Sequence, residues 1–405
     1  MKPSREKVGL WMIGAAGGIG STVALGVAAL RKGLAEPIGL VSALPQFEDA
    51  DLVAPGAMVI GGHEVRAVTI LEAIHESHDQ DRLFDEKTIA RCAPVIRSWQ
   101  RNVRPGTVYG SSASLRAIGD ITAPNRERSP AAVIERLRSD IASFARRHRL
   151  DRVVVVNVAS SEPGVRPAAA HARYALLEKA LAKPGAKVLP ASSLYALAAI
   201  EAGAAYVNFT PSTGIALPAI QQRADQRGAA YMGSDGKTGE TLLKSVLAPM
   251  FVMRNLRILS WYGQNILGNR DGAVLNDPRT RASKVKSKDG VISRIVGYKP
   301  MTHVGIDFVP SLGDWKVAWD FVHFAGFLNT PMHVQFIWQG SDSILAAPLV
   351  IDLARFTALE MRTGRGGPMR HLACFFKDPL GVDEQKHARQ WRSLVEHVTG
   401  AKEQS

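Results

Sequence analysis

Between Ser234 and Lys288 the chain places Lys237, Lys244, Lys284, Lys286 and Lys288 among Asp235, Asn265, Asn269 and Asp271, punctuated by Gly233, Gly236, Gly239, Gly268 and Gly272. Lysines supply point charges for phosphate, and crowding or desolvation brings an ammonium group into proton-transfer range near neutral pH. Glycines let the backbone approach a ligand closely. The combination points to a pocket for a phosphorylated small molecule, with Thr238 in the same loop. Lys284 and Lys288 are four apart, so a helix would hold both on one face, where like charges repel unless an anion bridges them. Further on, Asp314 and Lys316 fall in SLGDWKVAWDF at an expected strand-to-helix turn. Asp342 and Ser343 follow the strand pattern Met332–Trp338, and Lys377 follows Leu372–Phe376.

These side chains need a scaffold. Val8–Ile13 reads as a buried strand, Gly14–Thr22 (GAAGGIGST) as a glycine turn, and Thr22–Arg31 as a helix. That is the first unit of a dinucleotide-binding fold: Gly14, Gly17, Gly18 and Gly20 permit the turn, and pyrophosphate meets the helix amides near Ser21 and Thr22. The G-x-x-G-G-x-G spacing is a variant that fits a cofactor loop or a structural turn equally. A second strand is expected at Ile38–Ala43. Ser42 and Ala43 stand where an acidic residue would hold the ribose, leaving Glu48, Asp49 and Asp51 as substitutes. Arg152–Ala159 (RVVVVNVA) is a β-branched run suited to a strand covered on both faces of a parallel sheet. Its end, with Asn157, Ala159 and Ser160, is a place where ligands gather in open α/β sheets. Val188–Tyr195, with Ser192 and Ser193, and Tyr206–Ser212, with Thr210, are expected to behave likewise. Beyond Gly233 come a helix at Thr241–Met250, strands at Leu256–Tyr262 and His303–Pro310, a helix at Ile344–Met361 and a helical tail from Glu384. Residues 53–122 carry no assigned chemistry, and the His75/His78 spacing suits a helix surface better than a metal site.

The net charge of +13 favours an anionic partner. Much of the excess lies in Arg126–Arg152, where Val133, Ile134, Leu137, Ile141 and Phe144 mark a helix with a solvated basic face. No interleaving of aromatic and basic residues speaks for nucleic acid, and no apolar run of about 18 residues speaks for a membrane. Cys92 and Cys374 match no pairing motif, and MKPSREK leads into a strand without an apolar signal core. A soluble, cytoplasmic protein is expected.

With these pieces in order, the chain resembles the myo-inositol-phosphate synthase (inositol-3-phosphate synthase) family over nearly its whole length. The motifs are PASSLYALAA, SDGKTGETLLKSVL, NILGNRDG, SKVKSK, VPSLGDWK, SDSILAAPLVIDL and FFKDP, in the family's order. Two positions depart from the pattern: Ile19 stands where asparagine is common, and Leu242 where other members carry a lysine. The resemblance implies an α/β fold in which a Rossmann-like doubly wound domain (1–240, completed by 346–405) is interrupted by an α+β catalytic and tetramerisation domain (241–345). It implies NAD as a recycled cofactor, a homotetramer, and cyclisation of glucose 6-phosphate through C5 oxidation, enolisation, intramolecular aldol closure and reduction. Lys284, Lys288, Lys316 and Lys377 match the family's active-site lysines. Lys284 would carry a proton at the C5 hydroxyl, Lys316 and Lys377 would face the enolate and aldol oxygens, and Lys288 and Lys244 would lie on phosphate or nearby oxygens. Asp235, Asp271, Asp314, Asp342, Asn269 and Ser343 would hold hydroxyls and orient the lysines. A monovalent or divalent cation is compatible with this chemistry, although no ligand cluster in the sequence identifies a metal site. Two rivals remain at this stage: a cyclase for another sugar phosphate, and a non-catalytic NAD- or anion-binding protein.

Overall fold

Val8–Ile13 forms strand β1 and is buried at every position, because it has a parallel partner on each side and helices over both faces. The computed structural model describes residues 6–111, 116, 127–269, 272 and 290–400. The other strands of the first sheet are β2 (Val59–Glu64), β3 (Val103–Pro105), β4 (Arg152–Asn157), β5 (Ala205–Asn208) and β6 (Ala230–Gly233). Between Leu267 and Ser341 and just before them lie β7 (Arg257–Leu267), β8 (Met301–Phe308), β9 (Trp315–Ala325) and β10 (Pro331–Ser341); β11 (Gly367–Pro368) follows. The first sheet has the order β11-β6-β5-β4-β1-β2-β3, and every pairing is parallel.

The helices are α1 (Gly18–Arg31), α2 (Ile70–Asp81), α3 (Glu86–Gln100), α4 (Pro130–His148), α5 (Tyr174–Leu181), α6 (Ala191–Glu201), α7 (Pro218–Gln226), α8 (Glu240–Met253), α9 (Asp342–Arg362) and α10 (His387–Thr399). Strand side chains alternate, so Leu10, Met12, Val154 and Val156 pack under α1, α2, α3 and α9, while Trp11, Ile13, Val153 and Val155 pack under α4, α6 and α7. The sheet is therefore doubly wound. The chain leaves β1 toward β2 and β3 on one side and β4 to β6 on the other, so a crevice opens at the carboxyl ends of β1 and β4.

Residues 257–341 build the second sheet, in the order β10-β9-β7-β8, with β7 and β8 parallel and the other pairs antiparallel. One face rests on α8 and the segment 290–296 through Phe251, Ile258, Trp261, Ile292 and Val322. The chain then returns, and Ala346, Val350 and Leu353 of α9 join the core of the first sheet. Among the described residues no helix is long and apolar enough to cross a membrane.

Four expectations need correction. Ile38–Ala43 is not the second strand: Val41–Ala43 is a short 3-10 turn whose amides bind the buried Asp352, and β2 lies some twenty residues later. Val188–Tyr195 is not a strand, because Pro190 precedes the first turn of α6. Leu372–Phe375 lies in a 3-10 segment, Arg370–Phe375, and residues 371–376 are all buried rather than alternating between two faces. Asp314 and Lys316 mark a turn into strand β9, not into a helix.

Candidate active site

The crevice is lined from two directions. From the first sheet, β1 ends at Ile13 and turns through Gly14, whose φ of 87° favours glycine. A side chain on Gly14 would come within 3.0 Å of the Ala159 backbone, and one on Gly20 within 2.4 Å of the Gly14 carbonyl oxygen. The turn therefore closes only with glycines. Gly17 begins α1 with no side-chain cap, which leaves the amide end of that helix open toward the crevice. An uncapped helix start at the switch point of a parallel sheet suits the pyrophosphate of a dinucleotide.

Gly14, Gly17, Gly18, Asn157, Ala159, Ser160, Ser192 and Thr210 all line the crevice. Asn157 holds the β4 end in shape: its Oδ1 accepts from Ala159 N at 3.3 Å and its Nδ2 donates to Asn208 Oδ1 at 3.2 Å. Gly20, Ser21, Thr22 and Ser193 do not line it. The hydroxyls of Ser21 and Thr22 donate back to the Gly18 carbonyl at 3.1 and 2.7 Å, and Ser193 donates to Gly214 O at 2.7 Å. Small hydroxyl residues there let the loop and α6 pack closely; they shape the site from behind.

Two carboxylates missing from the sequence-based set organise this half. Glu64 ends β2, the position where an acidic residue is expected in such folds. Its Oε2 accepts from Ala16 N at 2.8 Å, and its Oε1 from Val65 N at 2.8 Å and Arg66 N at 3.1 Å. Arg66 in turn donates to the Ala16 carbonyl, so one acid and one base pin the glycine loop. Glu162 accepts from Ala191 N and Ser192 N at 3.0 and 2.9 Å and caps the start of α6 beside the crevice. Placing β2 at VIGGHE would have found Glu64; Asp51 is instead paired with Arg362.

The facing wall carries the cations. Lys377 Nζ donates to Asp235 Oδ1 at 2.7 Å, and both side chains are nearly buried. Backbone bonds fix the pair: Lys377 N donates to Asp235 O at 2.7 Å, and Asp235 N to Thr210 O at 3.0 Å. Gly236 must be glycine, since a Cβ would lie 2.2 Å from the Phe209 ring. Lys316 Nζ stands 3.4 Å from Asp342 Oδ1 at the start of α9. Asp314 ties the corner together: its Oδ2 accepts from Ser343 N at 3.0 Å, from Ser343 Oγ at 2.8 Å and from Ser341 Oγ. Burial raises its carboxyl above the ordinary range, although those three donors oppose the shift. A Cβ on Gly18 would lie 3.9 Å from Asp314 Oδ1 and from Ser343 Cβ, so the glycine loop and the second sheet's corner face one another across the crevice. Asp235, Thr238, Asn269, Asp314, Lys316, Asp342, Ser343 and Lys377 all line it.

Two lysines lie elsewhere. Lys244 is buried between Glu240 and Asp320; burial alone would lower its pKa, but the two carboxylates outweigh that and raise it. Lys237 is buried behind the crevice wall, donating to Gln390 Oε1 at 2.6 Å, and burial lowers it to about 8. Neither is among the crevice-lining residues, so the expectation that they contact substrate is not met by their positions. Lys284, Lys288 and Asp271 lie outside the described residues.

Fold and crevice together define a Rossmann-like protein with a lysine- and carboxylate-lined site between two sheets. A family model described as myo-inositol-1-phosphate synthase, and named for NAD binding, matches residues 8–398. The chain belongs to that family. It is 31% identical to inositol-3-phosphate synthase 1 of Bacteroides thetaiotaomicron, over 100% of this chain and 98% of that one. Among solved structures, inositol-3-phosphate synthase from Caenorhabditis elegans superposes with a TM-score of 0.86 at 23% identity, over 98% of this chain and 86% of the other. A myo-inositol-1-phosphate synthase-related protein from Thermotoga maritima gives 0.76 at 21% identity, over 99% and 100%. At those identities the superpositions bear on the fold.

Proposed function

We propose that this protein is an NAD-dependent inositol-3-phosphate synthase, an isomerase that converts D-glucose 6-phosphate to 1D-myo-inositol 3-phosphate without net redox change. The carrying observation is that Lys316 and Lys377, each held by a carboxylate, share one crevice with the open start of α1. Bound NAD would supply the oxidation at C5 and, after ring closure, the matching reduction. Everything else falls to side chains. Enolisation and aldol closure each develop an oxyanion, and preorganised ammonium groups in a water-poor site lower that cost most effectively. Lys377 and Lys316 take that role, with Asp235 and Asp342 fixing their heads. Asp314, Ser343, Thr238 and Asn269 orient hydroxyls. Lys284 is assigned to proton transfer at the C5 hydroxyl, Lys288 to phosphate or nearby oxygens, and Asp271 to sugar hydroxyls, on family resemblance. Any assisting monovalent or divalent cation would act near the nicotinamide or the phosphate.

The same reading takes 1–240 with 346–405 as the NAD-binding domain and 241–345 as the catalytic and tetramerisation domain. It expects a homotetramer, with no nucleic-acid or membrane partner. A cytoplasmic setting would keep the buried thiols of Cys92 and Cys374 free. The test is incubation with D-glucose 6-phosphate and substoichiometric NAD⁺. Inositol phosphate should accumulate over many turnovers with no net NADH; NADH rising in step with substrate loss, or no cyclic product, would overturn the reading.

A further inference from the structure

Away from the crevice, three side chains from the last part of the chain converge. Glu360 lies in the last turn of α9, His371 in the segment Arg370–Phe375, and His397 in the last turn of α10. One donor atom from each lies within 4.8 Å of the other two. His397 Nε2 is 2.8 Å from Glu360 Oε2, and the two imidazole rings stack 3.6 Å apart with their planes 4° from parallel. Glu360 and His371 are buried and His397 is partly so. None of the three lines the crevice, and the proposed reaction uses none of them.

We propose that Glu360, His371 and His397 form a site for a divalent transition-metal ion, zinc foremost, that clasps α10 to the end of α9. The inference is independent of the reading of the crevice. Two imidazoles and one carboxylate are a donor set that zinc accepts with a fourth position left for water, whereas calcium and magnesium prefer all-oxygen shells. Metal–ligand bonds of about 2.0–2.2 Å put neighbouring donors of a tetrahedral ion roughly 3.3 Å apart. The His397–Glu360 contact therefore has to open slightly, the widest donor pair has to close, and the two stacked imidazoles have to rotate out of their parallel planes so that both in-plane lone pairs meet at one point, all by side-chain rotation. Arg365 Nε stands 3.5 Å from the other carboxylate oxygen, Glu360 Oε1, and is mostly exposed, so it can remain on the outer side. The clasp reaches the crevice mechanically: Gln390 of the same helix receives Lys237, two residues from Asp235. A fixed α10 would steady the wall that carries the Asp235–Lys377 pair.

The experiment uses the full chain without a histidine tag, stripped with a chelator and titrated with Co²⁺ as a spectroscopic probe. One equivalent should bind with visible d–d absorption, be displaced by one equivalent of Zn²⁺, and raise the melting temperature. His371→Ala should weaken binding by about tenfold or more, as loss of a group at a metal site does, while His75→Ala, at an exposed position, should not. Because an alanine here could loosen α10, Glu360→Gln serves as the isosteric variant: it removes the negative ligand, keeps the shape, and should weaken Co²⁺ comparably with unchanged circular dichroism. Absence of saturable Co²⁺ binding by the wild type, or equal affinity and spectrum in a folded Glu360→Gln, overturns the proposal.

Discussion

The two sheets solve the same burial problem differently. The inner strands of the parallel sheet, β1, β2, β4, β5 and β6, are buried between the chain's own helices, and even polar His63 is fully buried, accepting from Trp11 Nε1 at 3.0 Å. Among the described residues the second sheet is covered on one face only. Its other face presents Tyr262, His303, Trp319, Phe321 and His333, with Tyr262 stacked on His303 and Phe321 on His333, and leaves Ile337 69% exposed. The first sheet is complete within one chain, so its loops are free to bind. The second meets the crevice at the end of β7, the turn into β9 and the end of β10, and its other face keeps aromatic and aliphatic side chains partly in solvent. Beneath the covered face it buries charge instead: Lys244, Glu240 and Asp320, each at most 2% exposed.

The largest effect should come from breaking that buried charge cluster. Lys244→Ala leaves two carboxylates without their cation, and removing one partner of a buried ion pair costs about 3–5 kcal/mol. Urea unfolding should show that loss in the second sheet, with nucleotide binding at the first kept under native conditions. A loss under about 1 kcal/mol would mean the cluster is solvated and the contrast between the sheets is weaker than drawn.

Next comes the crevice itself. Lys377→Ala should lower kcat by about 10²–10³, the range for removing one preorganised oxyanion partner, while NAD binding measured by fluorescence stays near wild type. Lys316→Ala should follow the same pattern. Near-wild-type turnover in either variant would show that the substituted lysine does not serve the reaction.

How much of this was legible follows from which signals are local. β1, β4 and α9 were readable because their apolar runs are long and uninterrupted. β2 was not: VIGGHE has two glycines and two polar residues; it is a strand through its parallel pairing with β1 and β3, and Trp11 and Met12 leave room only for glycine at 61 and 62, where an added Cβ would come within 2.9 and 2.2 Å. LACFF looked like a strand because a short apolar run does not distinguish a strand from a buried turn. At the site, Lys377 and Asp235 were each named from their motifs, but their pairing spans 142 residues and comes from backbone bonds that only the fold supplies. Lys244 reads as a phosphate ligand although Glu240, four residues earlier on α8, pairs with it, because its second counter-charge, Asp320, comes from strand β9, inside a sequence stretch that reads as ordinary alternation.

A smaller effect tests the charge cluster by pH. Burial raises the Asp320 carboxyl from 3.8 to about 6, with Lys244 opposing and Glu240 adding to the shift. A raised folded-state value means the folded protein holds the proton more tightly. The stability from this group is therefore full below about pH 4, falls as pH rises toward 6, and is flat beyond. Asp320→Asn keeps the acceptor for Trp261 Nε1, which donates to Asp320 Oδ1 at 2.6 Å, and removes the titration. The difference between wild type and variant in unfolding free energy should slope by on the order of 1–3 kcal/mol across that window; parallel curves would show an ordinary carboxylate.

The smallest change in the monomer should have the clearest consequence for assembly. Ile337 pairs across from Trp319 on the bare face and is mostly exposed, so a charge there stays in solvent in the isolated chain. Ile337→Glu should alter monomer stability by no more than about 0.5 kcal/mol, as surface substitutions usually do. If the face is where copies meet, the same substitution buries an unpaired carboxylate in each contact. At about 1.4 kcal/mol per tenfold in affinity, even a modest penalty then shifts sedimentation toward smaller species at micromolar protein. The matching change on the covered side, Val322→Glu, should instead prevent folding, because Val322 is fully buried against α8 and 290–296. Equal effects of the two substitutions on folding, or an unchanged sedimentation profile for Ile337→Glu, would mean both faces are complete within one chain.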